Sequence, residues 1–417
     1  MRHIRQLTGA ADFAAMAAIG ADAYPGAKVV TEEDRLKLQQ QLIARAEQPT
    51  VAYYGLFDDQ QLLGGMQLHD FSMNVFGALI AAGGVGYVAV DLLHKKEAMA
   101  KELLTFFVRR CRERDQPIAL LYPFRPDFYK KMGFGYGAKI SQYRVRPSSL
   151  PRGPSKAHVR RLSASDAPLL TDCYNRFCAA RHGMIERVER DVQASFGNPE
   201  NKIIGYEKDG RIEGYLNFSF KPYRSDTFLR NDIVVRELVY EHAQALAELL
   251  TFLHTQADQI DSIFFNLQDD SFHHLLFDPR NGTDNSIATL YQESNTQGVG
   301  IMYRVVNTRA LFERLAHRDF GGQTCKLKLT INDSFLPENG GELVVHFRSG
   351  HATVQEGGDY DLAIQLDIAE FSALLMGVVS FTALQRYSLA TISDARDVGT
   401  INRLFLAEEK PICMTLF

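Results

Sequence analysis

His273 and His274, close behind Asp269 and Asp270, are side-chain types that bind divalent metals. Their spacing argues against a shared site, because neighbouring residues of a helix or a strand project in different directions, and no metal is expected. Cys111, Cys173, Cys178, Cys325 and Cys413 form no C-x-x-C pair and are odd in number. Neither a zinc site nor a disulfide framework is therefore indicated, and the cysteines are expected to be reduced and mostly buried. A net charge of −4, with 46% hydrophobic and 23% charged residues, lacks the strongly basic footprint of a nucleic-acid partner. It suits a small-molecule substrate or none.

The elements that must position any site come in a repeat. Residues 53–66, YYGLFDDQQLLGGM, align without gaps on 203–216, IIGYEKDGRIEGYL, matching Gly55 with Gly205, Asp59 with Asp209, Leu62 with Ile212 and Gly64 with Gly214. Each copy reads as strand, polar turn, strand. Glu102-Leu-Leu-Thr-Phe106 then recurs as Glu248-Leu-Leu-Thr-Phe252, and each is followed by an apolar strand, Ile118–Tyr122 and Ile263–Phe265. The offset falls from 150 to 146, so four residues are missing from the second copy, between Leu238-Val-Tyr240 and its helix. The first copy has Asp91-Leu-Leu-His-Lys-Lys-Glu-Ala-Met-Ala100 there.

The copies predict domains at 1–150 and 151–304, joined at the turn-rich Pro147-Ser-Ser-Leu-Pro-Arg-Gly-Pro154. A third, α+β domain is expected over 305–417: Cys325–Ile331 alternates as a strand, Pro337-Glu-Asn-Gly-Gly341 turns, Leu343–Phe347 returns, and Ile368–Val378 reads as an apolar helix. Three domains suit a chain of 417 residues. The N-terminus lacks the apolar core of a signal peptide. The longest uncharged stretch, Phe76–Val90, has 15 residues and four glycines, short of the roughly 20 that cross a bilayer. A cytoplasmic protein without a membrane partner is expected.

The stretch from Gly83 through Val88-Ala-Val90 to the loop Lys95-Lys-Glu-Ala-Met-Ala100 resembles the acetyl-CoA signature of the GNAT acetyltransferases. In that family a strand ends in V-x-V, and a Q/R-x-x-G-x-G/A loop opens a helix. The resemblance implies that the backbone of Val88, Ala89 and Val90 binds the pantetheine arm. It also implies that Lys95, Lys96, Ala98, Met99 and Ala100 hold the pyrophosphate, where free N–H groups and the helix dipole favour an anion. Two departures stand out. Lysines replace arginines, giving point charges rather than bidentate forks, and Ala98 replaces a glycine, leaving less room for close phosphate approach. Glu97 adds a negative charge.

Phe124-Arg-Pro-Asp-Phe-Tyr-Lys-Lys-Met-Gly-Phe134 resembles the family's "FY.k.GF" segment, which implies that Tyr129 is the general acid for the departing thiolate. The order of a GNAT domain, a degenerate GNAT copy and a sterol carrier protein-like domain is similar to the enhanced intracellular survival (Eis) family. That likeness covers essentially the whole chain and implies that the carboxylate of Phe417 is the catalytic base. It further implies acetyl-CoA as co-substrate, direct transfer to aminoglycoside-like, polyamine or lysine amines, the Val88 N–H as oxyanion donor, and a homo-oligomer of six subunits. Glu32 and Glu33, near the expected acceptor pocket, could attract a cation, but a solvated charge pair is the commoner reading and they are left out of the site. A non-catalytic acetyl-CoA-binding or lipid-binding protein is the alternative.

Overall fold

The computed structural model describes residues 1–223, 229–355 and 357–417. It divides into two compact units. One comprises residues 1–137, 301–408 and 416–417, and the other 138–300 and 409–415.

In the first unit, β1 (Arg2–Gln6), α1 (Ala10–Ala23), α2 (Glu32–Ala46), β2 (Val51–Asp58), β3 (Gln61–Val75), β4 (Ala78–Val90), α3 (Met99–Glu113), β5 (Ile118–Leu121) and α4 (Pro126–Lys130) follow one another. The strands form a seven-membered sheet in the order β1-β2-β3-β4-β5, completed by Met302–Val305 and Gly135–Tyr136. Pairs are antiparallel except β4 with β5, which run parallel from Ala82↔Ile118 to Val85↔Leu121. Beyond Val85, β4 continues to Val90 without a partner in β5. The sheet therefore splays where β4 approaches the loop before α3. Leu103, Leu104, Phe107 and Val108 on one face of α3 are buried against Leu68, Val85, Ala119 and Leu121, while Phe13, Met16, Leu42, Tyr53 and Ala89 form a second apolar layer with α1 and α2.

Residues 301–408 of the same unit include a five-stranded sheet in the order 351–355, 341–348, 325–332, 362–367, 390–392. The expected hairpin is present, with Cys325 opposite Phe347. The expected helix starts at Ile368 but stops at Leu375, because Gly377 turns with φ +69° against Ala407. The rings of Phe312, Phe320, Phe347, Phe371 and Phe405 pack with centroids 5.2–6.5 Å apart.

The second unit repeats the plan. Its sheet runs in the order 295–298, 140–145, 260–267, 231–240, 211–222, 202–208, 159–161. Asp59 and Asp209, equated by the repeat, both sit at the hairpin turn with positive φ, 49° and 51°. That conformation is tolerated by Asp better than by most residues, so the matching letters preserve matching geometry. Strand membership does not follow chain order alone, since 140–145 lies in the second unit's sheet and 302–305 in the first unit's. Overall the protein is α+β. Among the described residues no helix is long and apolar enough to cross a membrane.

Candidate active site

The end of β4 carries a bulge. Gly65 of β3 faces Ala89 and Gln67 faces Gly86, so Tyr87 and Val88 together oppose the single residue Met66. Tyr87 has φ +48°, uncommon for a non-glycine residue and of a kind that costs on the order of 1–3 kcal/mol unless its surroundings enforce it. Here they do. Tyr24 stacks on its ring at 5.5 Å, and a Cβ on Gly20 would lie 1.7 Å from the Tyr87 hydroxyl, so only glycine leaves room for it. Tyr24 also donates its hydroxyl to the Val88 carbonyl at 2.8 Å, fixing the peptide that follows Val88. Ala89 and Val90 return to the ladder opposite Gly65 and Gly64, Ala89 with its methyl in the core.

The loop before α3 bends twice into the left-handed region, at Lys96 (φ +70°) and Ala98 (φ +63°). Ala98 is the N-cap, and no side chain caps the first N–H groups of the helix. That leaves the start of α3 an anion-binding end. Ala98 keeps the backbone shape of the expected glycine at a steric cost. Lys95 and Lys96 are exposed and have no acidic partner among the described residues. Glu97 is held by Arg2 at 3.2 Å and lies 3.4 Å from His94, which offsets its charge. Met99 and Ala100 open the helix, Met99 with its side chain buried, so only their backbone is available to an anion.

In the second unit only two residues separate the corresponding helix, Ala243–His254, from the end of its strand at Tyr240. His242 is its N-cap and accepts from Ala245 N–H at 3.2 Å. The missing residues thus leave a closed helix end, the physical basis of the degenerate second copy.

Tyr129 lies on α4 and is 3% exposed, edge-on to Phe128 at 5.2 Å and to Phe124 at 5.9 Å. Burial first, and the nearby Tyr24 hydroxyl second, hold its phenol well above the ordinary value. It therefore stays protonated at neutral pH, as a proton donor must. The short helix is tied down from both ends. Phe134 N–H returns to the Tyr129 carbonyl at 3.2 Å, and the fully buried Arg304 donates to the Met132 carbonyl at 2.6 Å and to Asp333 at 2.5 Å. Lys130 pairs with Glu370.

Phe417 ends the chain over the α1/α2 face of β4. Its ring lies 4.9 Å from Phe71, 5.2 Å from Tyr122 and 5.3 Å from His69. Its carboxyl carbon would be 3.0 Å from a Cβ on Gly86, so the α-carboxylate lies beside the strand residue just before the bulge. Tyr24 falls in the loop from Tyr24 to Glu33 that the sequence puts beside the expected acceptor pocket, at the C-cap of α1. His69, Phe71 and Tyr122 were not singled out, their only signal being aromatic or imidazole character in or next to strands of the repeat.

Elsewhere, the rings of His273 and His274 lie side by side at 4.1 Å on a single 3-10 turn, while Asp270 is taken by Lys410. Among the described residues no group of three or more His, Cys, Asp or Glu side chains could hold a metal. All five cysteines are buried and none is in a disulfide. Burial raises the Cys111 thiol far above its ordinary value, which is unsuited to a nucleophile.

Comparisons with known proteins agree with this anatomy. Residues 3–137 and 180–305 each match an acetyltransferase (GNAT) domain, and 311–414 match a sterol carrier protein domain. An uncharacterized N-acetyltransferase of Streptomyces avermitilis is 26% identical over 216 residues, 48% of this chain and 52% of that one, so the match spans about half of that relative. One from Streptomyces coelicolor is 24% identical over 335 residues, 76% of each chain. The crystal structure of Eis1 from Mycobacterium abscessus superposes over 100% of both chains with a TM-score of 0.76 at 18% identity, a likeness of fold. The chain is a GNAT acetyltransferase. Its two such domains ahead of a sterol carrier protein domain share the fold of Eis1.

Proposed function

We propose that the protein is an acetyl-CoA-dependent N-acetyltransferase that transfers the acetyl group directly to an amine in a ternary complex. Acetyl-CoA is the co-substrate and supplies an acyl group activated as a thioester. Lys95, Lys96 and the N–H groups of Ala98, Met99 and Ala100 would hold its pyrophosphate, and the edge of Val88 to Val90 that β5 does not pair would hold its pantetheine arm. The Phe417 carboxylate takes the proton of the acceptor ammonium, directly or through water. The freed amine nitrogen bonds to the acyl carbon as the C–S bond breaks, the Val88 N–H steadies the oxyanion, Tyr129 gives its proton to the thiolate, and the excess proton on the new amide nitrogen passes through water to the Tyr129 phenolate. Aminoglycosides, polyamines and lysine side chains are the acceptor classes that the family resemblance brings, together with a hexameric, cytoplasmic protein.

The observation that carries this reading is that the Phe417 carboxyl group lies beside the bulged end of β4, which Tyr24 hydrogen-bonds, and that the helix following that strand has no side-chain cap. Calorimetric titration with acetyl-CoA, followed by CoA release with a panel of amines, tests it. Binding with amine-dependent release supports the enzyme, whereas absence of binding would favour the lipid-binding alternative.

A further inference from the structure

Residues 411–417 belong to no helix or strand, so no ladder of backbone hydrogen bonds fixes them. Residues 412–415 belong to the second unit, and that unit holds each of them in turn. Ile412 N–H donates to the His182 carbonyl at 2.9 Å, and Cys413 N–H donates to Gln268 Oε1 at 2.6 Å. Arg187 donates to the Met414 carbonyl at 3.1 Å. The Tyr174 hydroxyl donates to the Ile185 carbonyl at 3.0 Å and so accepts from Thr415 Oγ1 at 3.3 Å. Gly183, with φ +94°, lets the segment pass close, since a Cβ there would stand 2.7 Å from the Ile412 carbonyl oxygen. Between these bonds the side chains of Ile412 and Met414 pack on the core around Cys173 and Tyr174.

The grip is itself fixed. One guanidinium nitrogen of Arg187 pairs with Glu237 at 2.7 Å while the other reaches Met414, and Tyr215 donates to the same Glu237 at 2.7 Å. The backbone N–H and carbonyl of Arg187 are both bound by the Asn175 amide, at 3.0 and 2.8 Å. Two residues on from Thr415, the Cα of Phe417 lies at most about 7 Å away. The ring contacts of Phe417 are apolar and non-directional, whereas hydrogen bonds to the backbone fix its register and direction. We propose that the second unit, whose helix start is closed by the His242 cap, serves the reaction as the clamp of residues 412–415, with Arg187 and Gln268 as positioning residues that set the reach of the Phe417 carboxylate. The inference rests on the reading of Phe417 as the catalytic base.

Arg187→Lys keeps a cation for Glu237 but lacks the second fork nitrogen that reaches Met414. Gln268→Met removes the acceptor of Cys413 N–H and Gln268→Glu keeps one. Both lose the longer 3.4 Å bond to the Ala138 carbonyl, so their difference isolates the Cys413 bond. Each substitution is made in the full chain and in a chain ending at Leu416, and measured for amine-dependent CoA release, acetyl-CoA affinity by calorimetry and melting temperature. Arg187→Lys and Gln268→Met should each lower kcat about tenfold, within the range for a small misplacement of reacting groups, with acetyl-CoA affinity held within about threefold. Gln268→Glu should keep kcat within about threefold of wild type, because a carboxylate accepts the same bond. In the shortened chain the substitutions should lower the residual rate no further, since groups that act through one another are not additive. Wild-type kcat in both Arg187→Lys and Gln268→Met, beside a loss of turnover on removing Phe417, would overturn the clamp alone, as would equal losses in the full and shortened chains. Full turnover by the chain ending at Leu416 would overturn the reading of Phe417, and the clamp's role with it.

Discussion

The carboxyl group of Phe417 lies against Gly86, where a Cβ would stand 3.0 Å from its carbon and 3.1 Å from its oxygen. Gly86 has no left-handed φ, so the residue is needed for proximity rather than for backbone freedom. Gly86→Ala must displace the terminus by a few tenths of an ångström. We expect kcat to fall roughly 10- to 100-fold, in line with the effect of small misplacements on catalytic groups, with acetyl-CoA affinity held within a few-fold, as measured by steady-state kinetics and calorimetry on the same preparation.

Tyr129→Phe keeps the ring packing against Phe124 and Phe128 and removes only the hydroxyl. Its kcat should fall about 10²- to 10⁴-fold, the usual worth of a positioned general acid, with little change in melting temperature. An unchanged kcat would assign Tyr129 to packing alone.

Ala98 holds a left-handed conformation that costs a Cβ-bearing residue roughly 1–2 kcal/mol. Glycine adopts it freely but loses more entropy on folding. The two effects nearly offset in stability, so Ala98→Gly should leave the melting temperature close to wild type and tighten acetyl-CoA binding several-fold by opening the approach of the phosphates. Calorimetry reads the second effect directly.

Arg304 and Asp333 form a fully buried ion pair, and burial pulls the guanidinium down from its ordinary value against the support of Asp333. Arg304→Met strands the Asp333 charge and frees the Met132 carbonyl. A loss of about 3–5 kcal/mol is expected in denaturant unfolding. Replacing both residues, as Arg304→Met with Asp333→Asn, should recover part of it.

His69 has its folded value lowered to about 4 from an ordinary 6.5, by burial first and Arg45 second, against an opposing pull from Asp70. Between these values the unfolded chain binds the proton that the folded one refuses, so stability falls as pH drops from about 6.5 to 4, by on the order of 3 kcal/mol. His69→Gln should flatten that segment of a melting-temperature profile taken from pH 7 to 4.

Much of this was legible in the residues. The repeated hairpin words fold as repeated hairpins because Asp59 and Asp209 carry the same turn, and the lost loop before the second copy's helix becomes the His242 cap. Cys325–Ile331 alternates clearly enough to read as a strand, whereas Ile368–Val378 overshoots because Gly377 stops the helix within an apolar run. Sheet membership was less accessible. Strands 140–145 and 302–305 find their partners across more than a hundred residues, and no local pattern announces such a pairing. The chamber around Phe417 was hidden for the same reason. His69, Phe71 and Tyr122 look like ordinary strand residues until the fold brings the chain's last residue to them. The Arg304–Asp333 pair gave no signal because a lone arginine in a strand reads as a solvated face.

The most direct test of the central claim is the rate of amine-dependent CoA release by a chain ending at Leu416, set beside its acetyl-CoA affinity. If the Phe417 carboxylate is the base, affinity stays within a few-fold while turnover falls at least about 100-fold, the lower range for loss of a general base. Turnover that survives the truncation at close to the full rate would contradict it.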